Sequence, residues 1–138
     1  MISTKGRYAL RVLVDLAGRK SEDFVPLRDV AQSQDISEKY LQRIARQLVD
    51  AGILEGIRGK GGGYRLAKPA DKIYVCDVLE AAEGTLAPVS CLVDGAPVCE
   101  RAATCKTLPL WKQFYDNARE LFGSVSIEDL KDGSIDCV

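Results

Sequence analysis

Apolar positions in this chain recur mainly at helical spacing, with one short stretch that alternates as a strand does. Over residues 4–18, Tyr8, Val12 and Leu16 with Ala9 and Leu13 line one face, and Arg7, Arg11 and Asp15 lie off it. That spacing predicts an amphipathic helix, with Gly18 as its stop. After a polar loop, Val25-Pro26 reads as extended, and Leu27, Val30 and Ala31 predict a second helix of two turns. Gln32 to Ile36 reads as a polar turn with one apolar pin. Ser37 is a good N-cap, and Tyr40, Leu41, Ile44, Ala45, Leu48 and Val49 then form a stripe that runs up to Gly52. The opposite face carries Glu38, Lys39, Gln42, Arg43, Arg46 and Gln47.

Two helices across a tight turn, the second longer and rich in long polar side chains, form the helix-turn-helix pattern. Arg, Lys, Gln and Ser on such a helix reach base edges in a major groove. An ordinary solvated helix has the same stripe, so the segment after it matters. Residues 53–58 read as a strand, Gly59-Lys60-Gly61-Gly62-Gly63 as a turn and Tyr64-Arg65-Leu66 as a second strand. A hairpin in that place is a wing, with Arg58, Lys60 and Arg65 expected around its tip. Narrow minor grooves attract such arginines. Lys60 is followed by Gly61 and not by Ser or Thr, which excludes a P-loop, and Tyr64 leaves the Gly59-x-Gly61 start of a dinucleotide fingerprint incomplete.

Beyond a short linker at residues 67–71, Val75 to Glu83 predicts a helix with Val78, Leu79 and Ala82 inward and Cys76 as a small, largely buried residue. Leu86 to Pro109 has little periodicity. It carries Cys91, Cys99 and Cys105 as C-x7-C-x5-C. Thr107 to Phe122 is the strongest helical pattern: Leu108, Trp111, Tyr115, Ala118 and Phe122 form one apolar row, and Leu110, Phe114 and Leu121 a second. A helix apolar on two faces is buried on both, and in a chain this short a second copy is the expected cover, through residues 107–123. Gly123 is expected to stop it, with a capped short helix following at Ser126 to Leu130.

Composition narrows the chemistry. The 138 residues are globular in make-up, with 46% hydrophobic and 28% charged residues. No apolar run spans a bilayer and the basic start leads into an amphipathic pattern, so a cytoplasmic protein without membrane contact is expected. The net charge of −1 hides a basic half (13 Lys+Arg against 8 Asp+Glu in residues 1–69) and an acidic half (6 against 12 in residues 70–138). A locally basic face suffices for nucleic acid, because counterion release depends on charge at the contact. There is no histidine, which excludes Ser-His-Asp and Cys-His nucleophile arrangements and histidine zinc sites. No acid/base constellation is visible, and an enzyme is not expected. Thiolates suit zinc and iron–sulfur clusters. The spacing is wider than usual zinc Cys pairs and leans toward a cluster, with a reversible disulfide or plain packing cysteines as the other readings. Any centre needs a fourth ligand: Cys76, Cys137, a carboxylate, a hydroxyl or a partner group.

The sequence resembles the Rrf2 family of bacterial winged-helix regulators, in particular its iron–sulfur cluster regulator (IscR-like) branch. The resemblance rests on Ser3-Thr4-Lys5-Gly6-Arg7-Tyr8-Ala9, Ile36-Ser37-x-x-Tyr40-Leu41, Ala51-Gly52-Ile53-Leu54 and Ile57-Arg58-Gly59-x-Gly61-Gly62-Gly63-Tyr64-x-Leu66, and on the cysteine loop leading into Leu110-Trp111. It implies a homodimer on pseudo-palindromic double-stranded promoter DNA and a [2Fe–2S] cluster on Cys91, Cys99 and Cys105. Such a protein reports cluster supply, oxidants or nitric oxide and controls cluster-biogenesis genes. Ser37, Lys39, Tyr40, Gln42 and Arg43 fall where the family's recognition helix meets DNA, and Arg58 at its minor-groove wing arginine; Lys60 and Gly62 complete the expected DNA-facing set. Leu108 stands where the IscR-like branch has a ligand histidine, Tyr8 where nitric-oxide sensors have an acidic ligand, and Gln42 where a base-discriminating glutamate occurs.

The expected fold is therefore mainly α: a winged helix-turn-helix over residues 1–68, then a cysteine-bearing loop and a long dimerisation helix over 71–138. Two other functions fit the same residues. One is a cluster-free repressor of cysteine or sulfur metabolism in which the three cysteines act as a thiol switch. The other is a small iron–sulfur electron carrier or adaptor, which leaves the glycine wing and the basic half unexplained.

Overall fold

The computed structural model describes residues 2–20 and 23–135. Three helices form the first layer: α1 (Thr4–Gly18), α2 (Leu27–Gln34) and α3 (Glu38–Asp50). Strands β1 (Leu54–Ile57) and β2 (Gly63–Leu66) follow as an antiparallel hairpin in which Leu54 pairs with Leu66 and Ile57 with Gly63. Then come α4 (Val75–Glu83), α5 (Leu108–Ser124) and α6 (Ile127–Asp132), with one-turn 3-10 segments at Ala70–Lys72 and Ser90–Leu92. Among the described residues no helix is long and apolar enough to cross a membrane.

The helical stripes become the core. Ala9, Val12 and Leu13 of α1 meet Val30 of α2 and Leu41, Ile44, Ala45 and Leu48 of α3, all buried. Burying each of the larger side chains stabilises the fold by roughly 1.5–3 kcal/mol. The same cluster takes in Ile73, Val78, Ala82 and Ile127 from the acidic half. Val49, counted in the apolar stripe, lies at its edge and is 37% exposed.

Polar links fix α1 against α2. The Asp15 carboxylate accepts from Arg19 at 2.7 Å, the Ser33 hydroxyl at 2.6 Å and the Gln34 amide at 2.9 Å. Burial works to raise the acid's pKa, but these hydrogen bonds and the Arg19 charge outweigh it and hold Asp15 below the ordinary aspartate value. Arg11 reaches the Gln34 side chain at 3.1 Å and donates to the Gln34 carbonyl.

Two helix ends and one side chain differ from the pattern reading. Helix α2 continues through Gln34, taking in three of the five residues of the expected polar turn. It ends at Asp35, whose left-handed φ of 54° turns the chain so that the Ile36 N–H reaches the Ala31 carbonyl at 3.0 Å. Gly123 does not stop α5; it sits inside the helix, and a Cβ there would meet nothing within 4 Å. The Ser124 hydroxyl then bonds the Leu121 carbonyl at 2.8 Å, and Val125 turns extended. Arg65 is not at the wing tip. It pairs with Glu55 across the hairpin at 3.0 Å and lies over the Phe24 ring at 4.3 Å. The capped short helix appears as expected, with a reciprocal capping box between Ser126 and Asp129. Cys137, named above as a possible ligand, lies outside the described residues.

Candidate nucleic-acid interface and cysteine loop

Ser37 caps α3 by accepting from the Tyr40 N–H at 3.4 Å. Four buried positions then turn the helix so that its polar side faces outward. That side forms one wall of an open groove of about 1220 Å³, and the wing forms the other. From α3 it takes Lys39, Gln42, Arg43, Arg46 and Gln47, and from the wing Arg58, Lys60 and Gly62. Lys5 and Arg28, in the first turns of α1 and α2, complete the rim. Seven cations thus face one carboxylate, that of Glu38. The groove concentrates the basic half's charge on one face, as a polyanion requires.

Six of the eight expected DNA-facing residues line this groove: Lys39, Gln42, Arg43, Arg58, Lys60 and Gly62. The other two lie beside it. Ser37 is the helix cap, and the half-buried Tyr40 ring stands edge-on to Tyr8 with centroids 5.7 Å apart. Lys5 and Arg28 were not singled out in the sequence. They belong to the two preceding helices, α1 and α2, and the stacking of the three helices carries them to the same rim.

The wing is held in place by a third strand-like segment. Val25 and Tyr64 exchange backbone hydrogen bonds, each 2.9 Å. This contact needs Gly63: its φ is +153°, and a Cβ there would lie 2.2 Å from the Val25 carbonyl oxygen. Gly62 is as tightly enclosed, with a Cβ site 2.5 Å from the Ile57 carbonyl oxygen. The glycines therefore close the hairpin against α2 while Arg58 and Lys60 stay exposed.

The cysteine loop lies elsewhere, between α4 and α5. Among the described residues its backbone hydrogen bonds join only residues three apart, such as Leu92 to Val89 and Ala102 to Cys99. Cys91 and Cys99 are exposed and Cys105 is half-buried, all as free thiols. Among the described residues no three His, Cys, Asp or Glu side chains gather as a ready metal cluster. Cys105 lies 3.5 Å from the Thr107 hydroxyl. Hydrogen bonds from the Thr107 side chain, then from the N–H groups of Thr107 and Leu108 at the head of α5, bring its thiol below the ordinary cysteine value. Cys76 is the opposite case. Burial first, then the neighbouring Glu80 carboxylate 3.5 Å away, push its thiol up.

Helix α5 has no buried residue. Tyr115 and Phe122 pack against Val75, Leu79 and Leu86, so part of one apolar row docks on α4. Leu110, Trp111, Phe114 and Leu121 remain exposed, at 36–59%.

The Rrf2 profile, described as that of an iron-dependent transcriptional regulator, matches residues 2–133. The chain belongs to the Rrf2 family. Its relatives include the HTH-type transcriptional regulator IscR of Xenorhabdus nematophila, 33% identical over 129 residues that cover 94% of this chain and 77% of that protein. Among solved structures, CymR, the global cysteine regulator of B. subtilis, superposes with a TM-score of 0.75 at 35% identity, covering 99% of this chain and 98% of its own. IscR of T. potens superposes with a TM-score of 0.74 at 27% identity, covering 98% of this chain and 88% of that one. This Rrf2 protein is thus a winged-helix, DNA-binding transcriptional regulator and not an enzyme. The α3–wing groove is the part of the fold that carries the matching charge.

Proposed function

We propose that this Rrf2 protein is a homodimeric regulator of promoter DNA whose cysteine loop senses iron–sulfur status through a [2Fe–2S] cluster, and that it controls cluster-biogenesis genes in the cytoplasm. The observation that carries the DNA part is the groove lined by Arg43, Arg58 and Lys60. In a twofold dimer, two such α3 helices would enter successive major grooves about 34–36 Å apart. Lys39, Gln42 and Arg43 read or clamp the major groove, and Arg58 enters the adjoining minor groove. Ser37 and Tyr40 act at the start of α3, holding it at the angle that presents those side chains.

The donor set fits a cluster. Cys91, Cys99 and Cys105 are three soft, unpaired, solvent-reaching sulfurs on a segment with few ties to the core, and Cys105 is already biased toward thiolate. When bound, the group supplies an oxidant-labile centre. The chain's own part is to tie down a loop rooted in α4 and α5. With Leu108 and Tyr8 in the places of the family's other ligands, the fourth ligand is one of the groups left in this chain or its partner.

Similarity to CymR, a cysteine regulator, supports a second reading, in which two loop thiols close reversibly to a disulfide and no iron is held. Anaerobic purification separates the two. The cluster reading expects brown protein with two iron and two sulfide per cluster. Colourless, iron-free protein that resists reconstitution and loses free thiols to oxidant establishes the thiol switch instead.

Arg58→Ala tests the DNA face. It is expected to weaken binding by about 1–3 kcal/mol, most at sites with narrow A·T-rich minor grooves. Titration against duplexes differing only in that flank checks it. An equal loss on all of them would make Arg58 a phosphate contact.

A further inference from the structure

Helix α1 opens on Ser3, whose hydroxyl accepts from the Lys5 N–H at 3.2 Å. Three residues after such a cap, a glutamate commonly reaches back to the cap's own N–H. Here that position is Gly6, and the carboxylate comes from another helix. Glu83, the last residue of α4, accepts from the Ser3 N–H at 2.7 Å, from the Ser3 hydroxyl at 2.7 and 2.9 Å, and from the Gly6 N–H at 3.0 Å. A Cβ on Gly6 would lie 2.6 Å from Glu83 Oε1, so the bare glycine is the seat for this carboxylate.

The clasp joins two places that matter. Between Ser3 and Gly6 stands Lys5, which lines the groove facing α3 and the wing. Immediately after Glu83, Gly84 ends α4 with a φ of +84° and the chain enters the loop that bears Cys91, Cys99 and Cys105. Hydrogen bonds to a carboxylate are charge-assisted and directional. The first turn of α1 therefore cannot shift against the end of α4 without breaking several at once.

We propose that Glu83 is a positioning residue for DNA binding and that its clasp on Ser3 and Gly6 relays the state of the cysteine loop to Lys5 at the groove. This rests on the groove being the DNA face and the loop being the sensor. Lys5 contributes a phosphate contact, Glu83 sets where that contact stands, and the loop acts on α4 at its last residue.

The experiment uses the full-length chain and a duplex that the wild type selects from a random pool, with binding measured over a salt series. Lys5→Gln is expected to weaken binding and to reduce the log K against log [salt] slope by about 0.9. Glu83→Gln is expected to weaken binding about fivefold or more and to add nothing to Lys5→Gln. Gly6→Ala displaces the carboxylate without removing its charge and installs a better helix former. In protein shown to be fully folded at the assay temperature, it is expected to bind as weakly as Glu83→Gln and, like it, to add nothing to Lys5→Gln, which a merely structural role does not allow. Treatment with diamide, a thiol oxidant, is expected to change wild-type affinity and leave that of Glu83→Gln unchanged. Wild-type affinity and slope in both Glu83→Gln and Gly6→Ala overturn the positioning role, and a full diamide response in Glu83→Gln overturns the relay. If Glu83→Gln fails to fold, Gly6→Ala carries both measurements. A wild type that selects no duplex instead defeats the DNA reading. One that binds DNA but ignores diamide defeats the relay and leaves the positioning role to the two variants.

Discussion

Gly63→Ala is expected to destabilise the protein by about 3 kcal/mol, lowering its melting temperature by about 10 °C, and to cost at least about tenfold in DNA affinity. The reason is backbone on backbone. The added Cβ would sit 2.2 Å from the Val25 carbonyl oxygen and 2.4 Å from its carbon, and neither can swing aside as a side-chain tip can. A φ of +153° also suits glycine alone among the common residues. Relief of the clash breaks the paired Val25–Tyr64 hydrogen bonds. The wing then separates from the start of α2, and Arg58 and Lys60 no longer stand across the groove from α3. Gly18→Ala is the matched control, since a Cβ there enters open space. Melting curves and duplex titrations of the two variants check this. A Gly63→Ala protein that behaves like the Gly18→Ala control would mean that the Val25 bridge does not anchor the wing.

Trp111→Ala is expected to weaken self-association by about 2 kcal/mol or more, near thirtyfold in the dimer dissociation constant. The exposed face of α5 presents Leu110, Trp111, Phe114 and Leu121, each a large apolar side chain left bare while Tyr115 and Phe122 dock on α4. Apolar surface of that extent on one helix favours a matching surface over water, and a second copy offers the same helix about a twofold axis. Tryptophan in such a patch commonly dominates its energetics. Sedimentation velocity over a concentration series gives the answer. If Trp111→Ala sediments as wild type at every concentration, α5 does not form the interface. Duplex affinity measured alongside should fall with dimer content, because one α3 reads only half of a palindromic site.

Much of the fold was legible in the sequence because the helices are amphipathic and well punctuated. The stripes of α1 and α3, the Ser37 cap, the glycine-rich hairpin turn and the capped short helix at Ser126 each depend on neighbours within a few residues, and period and capping chemistry report such neighbours directly. Where the local signal is ambiguous, the structure departs from it. Gly123 has the composition of a helix stop, but its φ is not left-handed and α5 runs on through Ser124. Arg65 looked like part of the wing tip, but alternation along β2 sends it to the face opposite Arg58, where Glu55 and Phe24 hold it.

The polar side of α3 is written in one continuous segment, so Lys39, Gln42 and Arg43 can be named from the chain alone as lining the groove. Lys5 and Arg28 could not, and neither could the clasp of Glu83 on Ser3 and Gly6, a contact made across 77–80 residues. Periodicity carries no information about partners at that separation. They meet because the buried stripes of α1 and α4 pack into one core, and that packing sets the angle between helices and thus which ends come together. Residue order dictated the helices, the wing and the cysteine spacing; close packing of their apolar faces determined which charges share a groove and which carboxylate caps which helix.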